Sequence, residues 1–429
     1  MLDPKFIREN PEKVKENIRK KFKPEKLKLV DDFIKKDKEY RKLLKESQEL
    51  RAKRNQISSE INQLKKAKKD ASHLIKKAKE IPPRIKEIEE ITTTLSSEIR
   101  EILMSIPNMI HKSVPIGKDA SENVVREVVG KPRKFDFPVK SHTEIAESLN
   151  IADFDASTRT SGNGFYFLKG DLALLDMALI NYARDYMVKH GYIFVEPPWL
   201  IREEILRGVY SQEEIEHMSY KTQDNLFLIA TSEHPLIGMF VNQLIPKKSL
   251  PIKITGFSPC FRREIGSHGI DEKGLFRTHQ FNKQEMIVIC EPEDSYKFYD
   301  EMQGHSKEIF RSLGLPFREI EGCSGDMADL KAKTADLEVW SPRKNDYFEI
   351  TSCTNMEAAQ ARRLNIRVVD GNERYFAHTL NNTVIATSRA MVAILENFQN
   401  KDGTVTIPDV LVPYMGGKKK LEKHSGFFE

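Results

Sequence analysis

The densest run of side chains able to do chemistry lies between residues 261 and 285. Phe261-Arg262-Arg263-Glu264 is followed by Gly266-Ser267, Gly269, Asp271 and Gly274, then by Phe276-Arg277-Thr278-His279-Gln280-Phe281 and Glu285. Guanidinium groups hold phosphate through forked hydrogen bonds. A strand, a glycine-rich loop and a returning strand would put Arg262 and Arg277 on one sheet surface, where they could grip a polyphosphate. A single strand arginine is commonly a surface ion-pair partner. Arg, Glu, Arg, aromatic and Glu within 24 residues are harder to explain that way. A second stretch runs from Thr379-Leu380-Asn381-Asn382-Thr383 through Ala386, Arg389 and Ala390 to Leu395-Glu396-Asn397. It reads as a strand entering a helix. Arg389 at the helix start could reach a nucleotide γ-phosphate, or could be a charge on the helix surface.

The elements that must position these groups divide into two kinds. Leu27 to Met104 contains no glycine and is dense in Lys, Glu, Ile and Leu. Val30, Phe33, Tyr40 and Leu44 recur at helical spacing, then Ile57, Ile61 and Leu64. Ala78, Ile81, Ile85, Ile88, Leu95, Ile99 and Ile102 follow alternating steps of three and four, broken only at Thr92, as in a coiled-coil seam. Lys68-Lys69-Asp70-Ala71-Ser72 is a reversal, so the spacing predicts an antiparallel helical hairpin. Pro82-Pro83 predicts a break in its second helix, because an interior proline costs about 3 kcal/mol. Arg51, Arg54, Lys65, Lys66, Lys68, Lys69, Lys76, Lys77 and Lys79 gather in the distal half. They read either as a solvated face or as contacts to a nucleic-acid backbone, and their clustering favours the second.

Ile106-Pro107-Asn108 and Ser113-Val114-Pro115-Ile116-Gly117 mark a boundary. Two domains are expected, 1–112 and 118–429. Beyond the boundary, runs such as Gly164–Leu168, Gly191–Val195, Met286–Ile289 and Tyr347–Ile350 alternate irregularly with helices at Leu172–Lys189, Asp294–Leu313 and Arg389–Asn400. This pattern predicts an α+β domain on an antiparallel sheet. Met415-Gly416-Gly417-Lys418-Lys419-Lys420 reads as an exposed basic end.

The 429 residues carry a formal charge of +5, which permits a nucleic-acid partner without requiring one. Cys260, Cys290, Cys323 and Cys353 are scattered, with no CxxC pair, so neither a zinc site nor a disulfide framework is expected. Reduced buried thiols in a cytoplasmic protein are the expectation. No segment approaches the ~20 consecutive apolar residues of a membrane span. The start, Met1-Leu2-Asp3-Pro4-Lys5, lacks the apolar core of a signal peptide.

Taken together, these motifs resemble a class II aminoacyl-tRNA synthetase, and within that class the seryl-tRNA synthetases. Phe261–Glu264 with Arg277–Phe281 is similar to the class motif 2. Leu380–Gln399 is similar to motif 3, and Gly191–Pro198 to motif 1, whose proline lies at the dimer interface in that class. The seryl-specific marks are Thr231-Ser232-Glu233, His279-Gln280-Phe281, Ser324-Gly325-Asp326-Met327, Asp336–Trp340 and Thr351-Ser352-Cys353-Thr354-Asn355 with Gln360-Ala361-Arg362-Arg363. The hairpin fits as well, so the resemblance spans nearly the whole chain, with several long motifs in order. Thr231–Leu236 and Ala386–Arg389 look closer to archaeal and eukaryotic members than to bacterial ones. Glu272 and Ile265 depart from the usual motif 2 loop, where threonine and a small residue are common.

The resemblance implies an ATP-dependent ligase that makes seryl-adenylate and transfers serine to tRNA(Ser), with tRNA(Sec) left open as a second acceptor. Arg262, Arg277 and Arg389 would be catalytic. Arg262 would meet the α-phosphate and the serine carboxylate, Arg277 the polyphosphate, and Arg389 the γ-phosphate. Glu264 and Phe281 would hold adenine, with Arg263, Thr278, Ile350 and Thr351 in the same ATP site. Glu349 and Ser352 would bind ATP through Mg²⁺, and no zinc is implied. Thr231, Ser232 and Glu233 would take the serine amino end; Glu285 and Thr383, with Asn381 nearby, would take its hydroxyl. The hairpin would bind the tRNA, and the protein would be a homodimer with no membrane partner. A paralogue for another amino acid or carrier is a competing reading, but carrier-loading homologues lack the hairpin. A non-catalytic RNA-binding or scaffold descendant should have lost Arg262, Glu264, Glu285 or Arg389, and all four are present. A coiled-coil structural protein explains residues 27–104 alone.

Overall fold

The computed structural model describes residues 1–264 and 274–425. Ile265, Gly266, Ser267, Gly269, Asp271 and Glu272 lie outside the described residues. The chain divides into two compact units, Met1–Pro107 and Asn108–Glu429.

The first unit is built on helix α1, Leu27–Lys66, and helix α2, Ser72–Ser105. At 1.5 Å per residue, α1 is about 60 Å long. The turn between them is held by Asp70, whose carboxylate accepts from the Ser72 N–H at 2.9 Å and from its hydroxyl at 2.6 Å. Lys68 takes the left-handed backbone conformation there, φ 54°. Ile57, Ile81 and Ile85 form a buried cluster flanked by Leu50, Ile61, Leu74 and Ala78.

Three expectations for this unit need correction. Helix α2 runs unbroken through Pro82 and Pro83. Proline's fixed φ is itself helical. Both rings lie on the exposed side, where the carbonyls of Ala78 and Lys79 can bond water, while Ile81 and Ile85 pin the chain on either side. The seam ends on Leu103 rather than Ile102, because Leu103 is the buried residue. Leu44 is exposed, while Asp37 and Ser47 are buried. The seam of α1 admits these polar residues, and Asp37 is satisfied by Arg8 at 3.1 Å and Arg41 at 2.8 Å. Thr92, the gap in the α2 repeat, donates to the Ile88 carbonyl at 2.8 Å.

The second unit is built on an eight-stranded sheet. In chain order the strands are β1 (Val124–Val129), β2 (Ile193–Val195), β3 (Ile252–Phe261), β4 (Gln280–Cys290), β5 (Phe317–Glu321), β6 (Lys333–Ser341), β7 (Asp346–Glu357) and β8 (His378–Ala386). Their spatial order is β1-β5-β6-β7-β8-β4-β3-β2. Pairing is antiparallel except at one edge, where β2 runs parallel to β3. The sheet is therefore mixed, not purely antiparallel, since β2 reaches its place from helix Gly170–Lys189 instead of from a hairpin turn.

Strand alternation assigns the two faces. Asn382 points to the helical side, donating to Met302 O at 3.1 Å and Ser306 Oγ at 2.8 Å of helix Ser295–Ser312. Its neighbours Asn381 and Thr383 point the other way. Helix Thr387–Asn397 continues from β8 and ends three residues short of the expected Asn400. The basic end, Gly416 to Lys420, is exposed as expected, and the chain just beyond it is docked. Lys420–Leu421 pairs with Val405–Thr406, Leu421 is buried, and Lys418 bonds Asp171 at 2.5 Å. The leucine anchors the segment while its lysines stay exposed. All four cysteines are free and buried.

Candidate active site

The open face of the sheet carries two compartments that share a wall. The first is lined by Arg262, Glu264, Phe276, Arg277, Phe281 and Arg389, together with Thr278, Ile350 and Ser388. The second is lined by Thr231, Glu233, Glu285 and Asn381, with Tyr210 and Met356 closing its apolar side. Arg262, Lys283, Glu349, Ser352 and Thr383 line both.

The register of β4 and β8 explains the second compartment. Thr383 and Glu285 are direct cross-strand partners, and Gly256 of β3 faces Glu285 from the other side. Thr383 Oγ1 donates to Glu285 Oε1 at 3.1 Å, and Thr231 Oγ1 donates to the same atom at 3.3 Å. Lys283 Nζ pairs with that oxygen too. Glu233 lies at the other end. Its Oε1 accepts from Gln360 Nε2 at 2.7 Å and Asn381 Nδ2 at 3.0 Å. Gln360 is held in turn by Thr379 Oγ1 at 2.7 Å. Burial pushes the Glu233 carboxyl up to about 7 and the Glu285 charge adds to the rise, against the Gln360 bond and the charges of Lys283 and Lys331.

The first compartment is the phosphate and ring side. Arg262 and Arg277 flank the described strands instead of lying within them, just past β3 and just before β4. The Arg262 main chain is clamped by His279, whose carbonyl accepts from Arg262 N at 2.9 Å and whose Nδ1 donates to Arg262 O at 2.9 Å. The Arg262 guanidinium lies 5.2 Å from the Phe281 ring centre. Arg389, in the first turn of its helix, donates to the Glu349 carbonyl at 2.7 Å and sits 3.5 Å from its carboxylate. It also lies over Phe276 at 5.5 Å.

Glu349 and Ser352 are three apart on β7, so strict alternation would separate them. The register shifts opposite Leu337/Glu338, and both side chains reach the cleft. Burial and the Glu349 charge push Asp336, which faces Ser352 across the sheet, up to about 7, and Asp336 Oδ1 has no hydrogen-bond partner among the described residues. No group of three or more His, Cys, Asp or Glu poised for a metal occurs among the described residues. Magnesium binds through one or two carboxylates plus substrate phosphates. One carboxylate, Glu349, and the Ser352 hydroxyl beside it fit that donor set.

Three expected residues stand apart. Ser232 turns its hydroxyl to the Gly256 carbonyl at 2.8 Å and lines neither compartment. Thr351 is buried in the strand and lines neither. Arg263 is bound to the Met218 and Glu216 carbonyls at 3.1 and 3.4 Å, outside both. Sequence reasoning missed Lys283, although Phe281-Lys283-Glu285 alternate with a strand period and so share a face. It also missed Lys331, 3.5 Å from Ser352 Oγ, and the supporting role of Gln360.

A largely antiparallel sheet flanked by helices, with arginines at its loop ends, is the architecture of the class II aminoacyl-tRNA synthetases. Residues 215–398 match the tRNA synthetase class II core domain (G, H, P, S and T), and residues 1–110 match the seryl-tRNA synthetase N-terminal domain. A serine–tRNA ligase of Methanospirillum hungatei is 48% identical over 361 residues, 83% of this chain and 85% of that protein. The crystal structure of seryl-tRNA synthetase from Pyrococcus horikoshii complexed with ATP superimposes with a TM-score of 0.94 at 40% identity, covering 99% and 100% of the two chains. The cytoplasmic serine–tRNA ligase of Naegleria fowleri in complex with AMP gives 0.89 at 32% identity, covering 99% of each. The chain belongs to the serine–tRNA ligase family.

Proposed function

We propose that this serine–tRNA ligase family member activates L-serine with ATP in the paired compartments and transfers it to tRNA(Ser). Nucleotide binding is supported by the relatives crystallised with ATP and AMP. The observation that carries the serine assignment is the convergence of Thr231, Thr383 and Lys283 on Glu285 Oε1, at the floor of a compartment walled off from the nucleotide by Arg262. Its second oxygen can accept from a ligand hydroxyl. Leaving such a buried acceptor unmet is costly, which disfavours alanine.

Glu233 takes the α-amino group, with Thr231 and Asn381 beside it. Arg262 lies on the shared wall, where it meets the serine carboxylate and the α-phosphate together. It neutralises charge as one attacks the other, so catalysis here is positioning and electrostatics. Phe281 and Glu264 hold adenine, Arg277 the polyphosphate, and Arg389 the departing pyrophosphate. Glu349 and Ser352 would hold Mg²⁺, which supplies charge neutralisation on the phosphates.

The basic distal half of the hairpin, residues 51–79, binds the tRNA backbone. Arg51 is paired with Glu89 at 2.6 Å, whereas Lys65, Lys66, Lys68, Lys69, Lys76 and Lys77 are exposed on the helix ends and turn. A homodimer is supported by exposed apolar side chains on helix Gly170–Lys189 and edge strand β2. Leu174, Met177, Val188 and Ile193 are 50%, 49%, 50% and 65% exposed. A soluble monomer rarely leaves such a patch bare. No helix among the described residues is long and apolar enough to cross a membrane, and a cytoplasmic location is proposed.

The test of the serine site is Glu285→Ala in adenylate formation. Efficiency with serine should fall at least tenfold, on the order of one charged hydrogen bond, while the KM for ATP stays put. Unchanged serine efficiency would overturn the assignment.

A further inference from the structure

Glu396 is 1% exposed and His142 2% exposed, far from solvent and outside both compartments. Nothing in the chemistry above uses them. Yet they are joined to each other and to the loop that carries two nucleotide-facing side chains.

The Leu275 N–H donates to His142 Nε2 at 3.2 Å. That nitrogen must therefore be the unprotonated one, and Nδ1 carries the ring proton. Nδ1 faces Glu396 Oε1 at 3.3 Å. Glu396 also accepts from Ser341 Oγ at 2.5 Å and lies 3.3 Å from Arg343 Nε. Burial pushes the Glu396 carboxyl up, but the bonds from His142 and Ser341 and the Arg343 charge outweigh it and hold the group below its ordinary range. An ionised acceptor at that point fixes the imidazole tautomer. Gly274, at φ +123°, packs so closely on the ring that any Cβ there would collide with Nε2. Phe276 and Arg277, which follow Leu275, line the nucleotide compartment. Phe276 stands edge-on to Phe348 at 5.2 Å, with Lys344 4.1 Å and Arg389 5.5 Å from its centre.

We infer that His142 and Glu396 are a positioning pair: Glu396 sets the tautomer of His142, and His142 Nε2 anchors the Leu275 N–H, fixing Phe276 and Arg277 for the nucleotide. The inference rests on the proposed ATP site and deepens it. Glu396 thereby ties the motif 3 helix, the β6–β7 turn and the returning leg of the motif 2 loop to one carboxylate.

The test compares His142→Phe, His142→Gln and Glu396→Gln with the parent in serine-dependent ATP–pyrophosphate exchange, with melting temperatures for each. Phenylalanine keeps a ring but has no acceptor. Glutamine lacks the ring but can place an amide oxygen near Nε2. Glu396→Gln keeps the shape but can donate to Nδ1 and release the tautomer. His142→Phe and Glu396→Gln should raise the KM for ATP about tenfold, one buried hydrogen bond, with the KM for serine little changed. His142→Gln should stay close to the parent. Phe rescuing better than Gln, or both KM values rising alike, would overturn the pair in favour of simple packing. Should His142→Phe not fold, an unchanged KM for ATP in Glu396→Gln overturns it equally. A parent without exchange would defeat the proposed function instead, and calorimetric ATP titration of the same proteins would then decide the pair.

Discussion

Replacing Glu233 by glutamine removes one charge from the amine end of the serine compartment while barely changing its volume. Glu233 is pushed from 4.5 up to about 7 by burial and by Glu285. That displacement corresponds to roughly 3 kcal/mol against the ionised form. A serine ammonium binds the carboxylate, not the acid. With a midpoint near 7, about one tenth of the sites are ionised at pH 6 and about nine tenths at pH 8. The KM for serine should therefore fall about tenfold across that interval. Glu233→Gln should raise the serine KM and flatten its pH profile. Stability should move the other way. A carboxyl harder to ionise when folded than unfolded costs nothing below 4.5 and becomes progressively unfavourable up to about 7. The variant should thus melt higher than the parent at pH 8 and no higher at pH 4. Steady-state exchange at graded pH, with serine and ATP varied separately, measures the first effect, and calorimetric melting the second. A flat serine KM in the parent, or an unchanged slope in Glu233→Gln, would refute the reasoning.

Arg389→Lys keeps the charge but loses the fork that spans Glu349 and the cleft, so ATP efficiency should fall at least about tenfold in exchange assays. Changing Lys65, Lys66, Lys68 and Lys69 to glutamine should raise the tRNA KM and make charging less salt-dependent, with exchange unaffected. Pro82→Ala with Pro83→Ala should stabilise helix α2 by about 1–3 kcal/mol in urea unfolding of the full chain, because the helix already passes through both positions. A loss of stability would show that the prolines are required there.

The sequence disclosed the chemistry better than the supports beneath it. Arg262, Glu285 and Arg389 stood out because their types are demanding and their motifs long, and all three line the cleft. The hairpin was visible from its heptads. What escaped depended on tertiary register. The shift on β7 that brings Glu349 and Ser352 to one face leaves no local signal. Gln360 reaches Glu233 from a separate helix, Ala359–Leu364, and His142 reaches Leu275 across 133 positions. Ser232, Thr351 and Arg263 line neither compartment for the opposite reason. Adjacent residues in a motif point in different directions, so a motif names more residues than face the ligand. Pro82-Pro83 was misread because propensity was weighed without the buried isoleucines on either side.

Serine-dependent ATP–pyrophosphate exchange with the purified chain, with alanine and threonine as controls, tests serine activation most directly. Exchange with serine, and little with either analogue, is the expected result. No exchange with serine, or equal exchange with alanine, would contradict it.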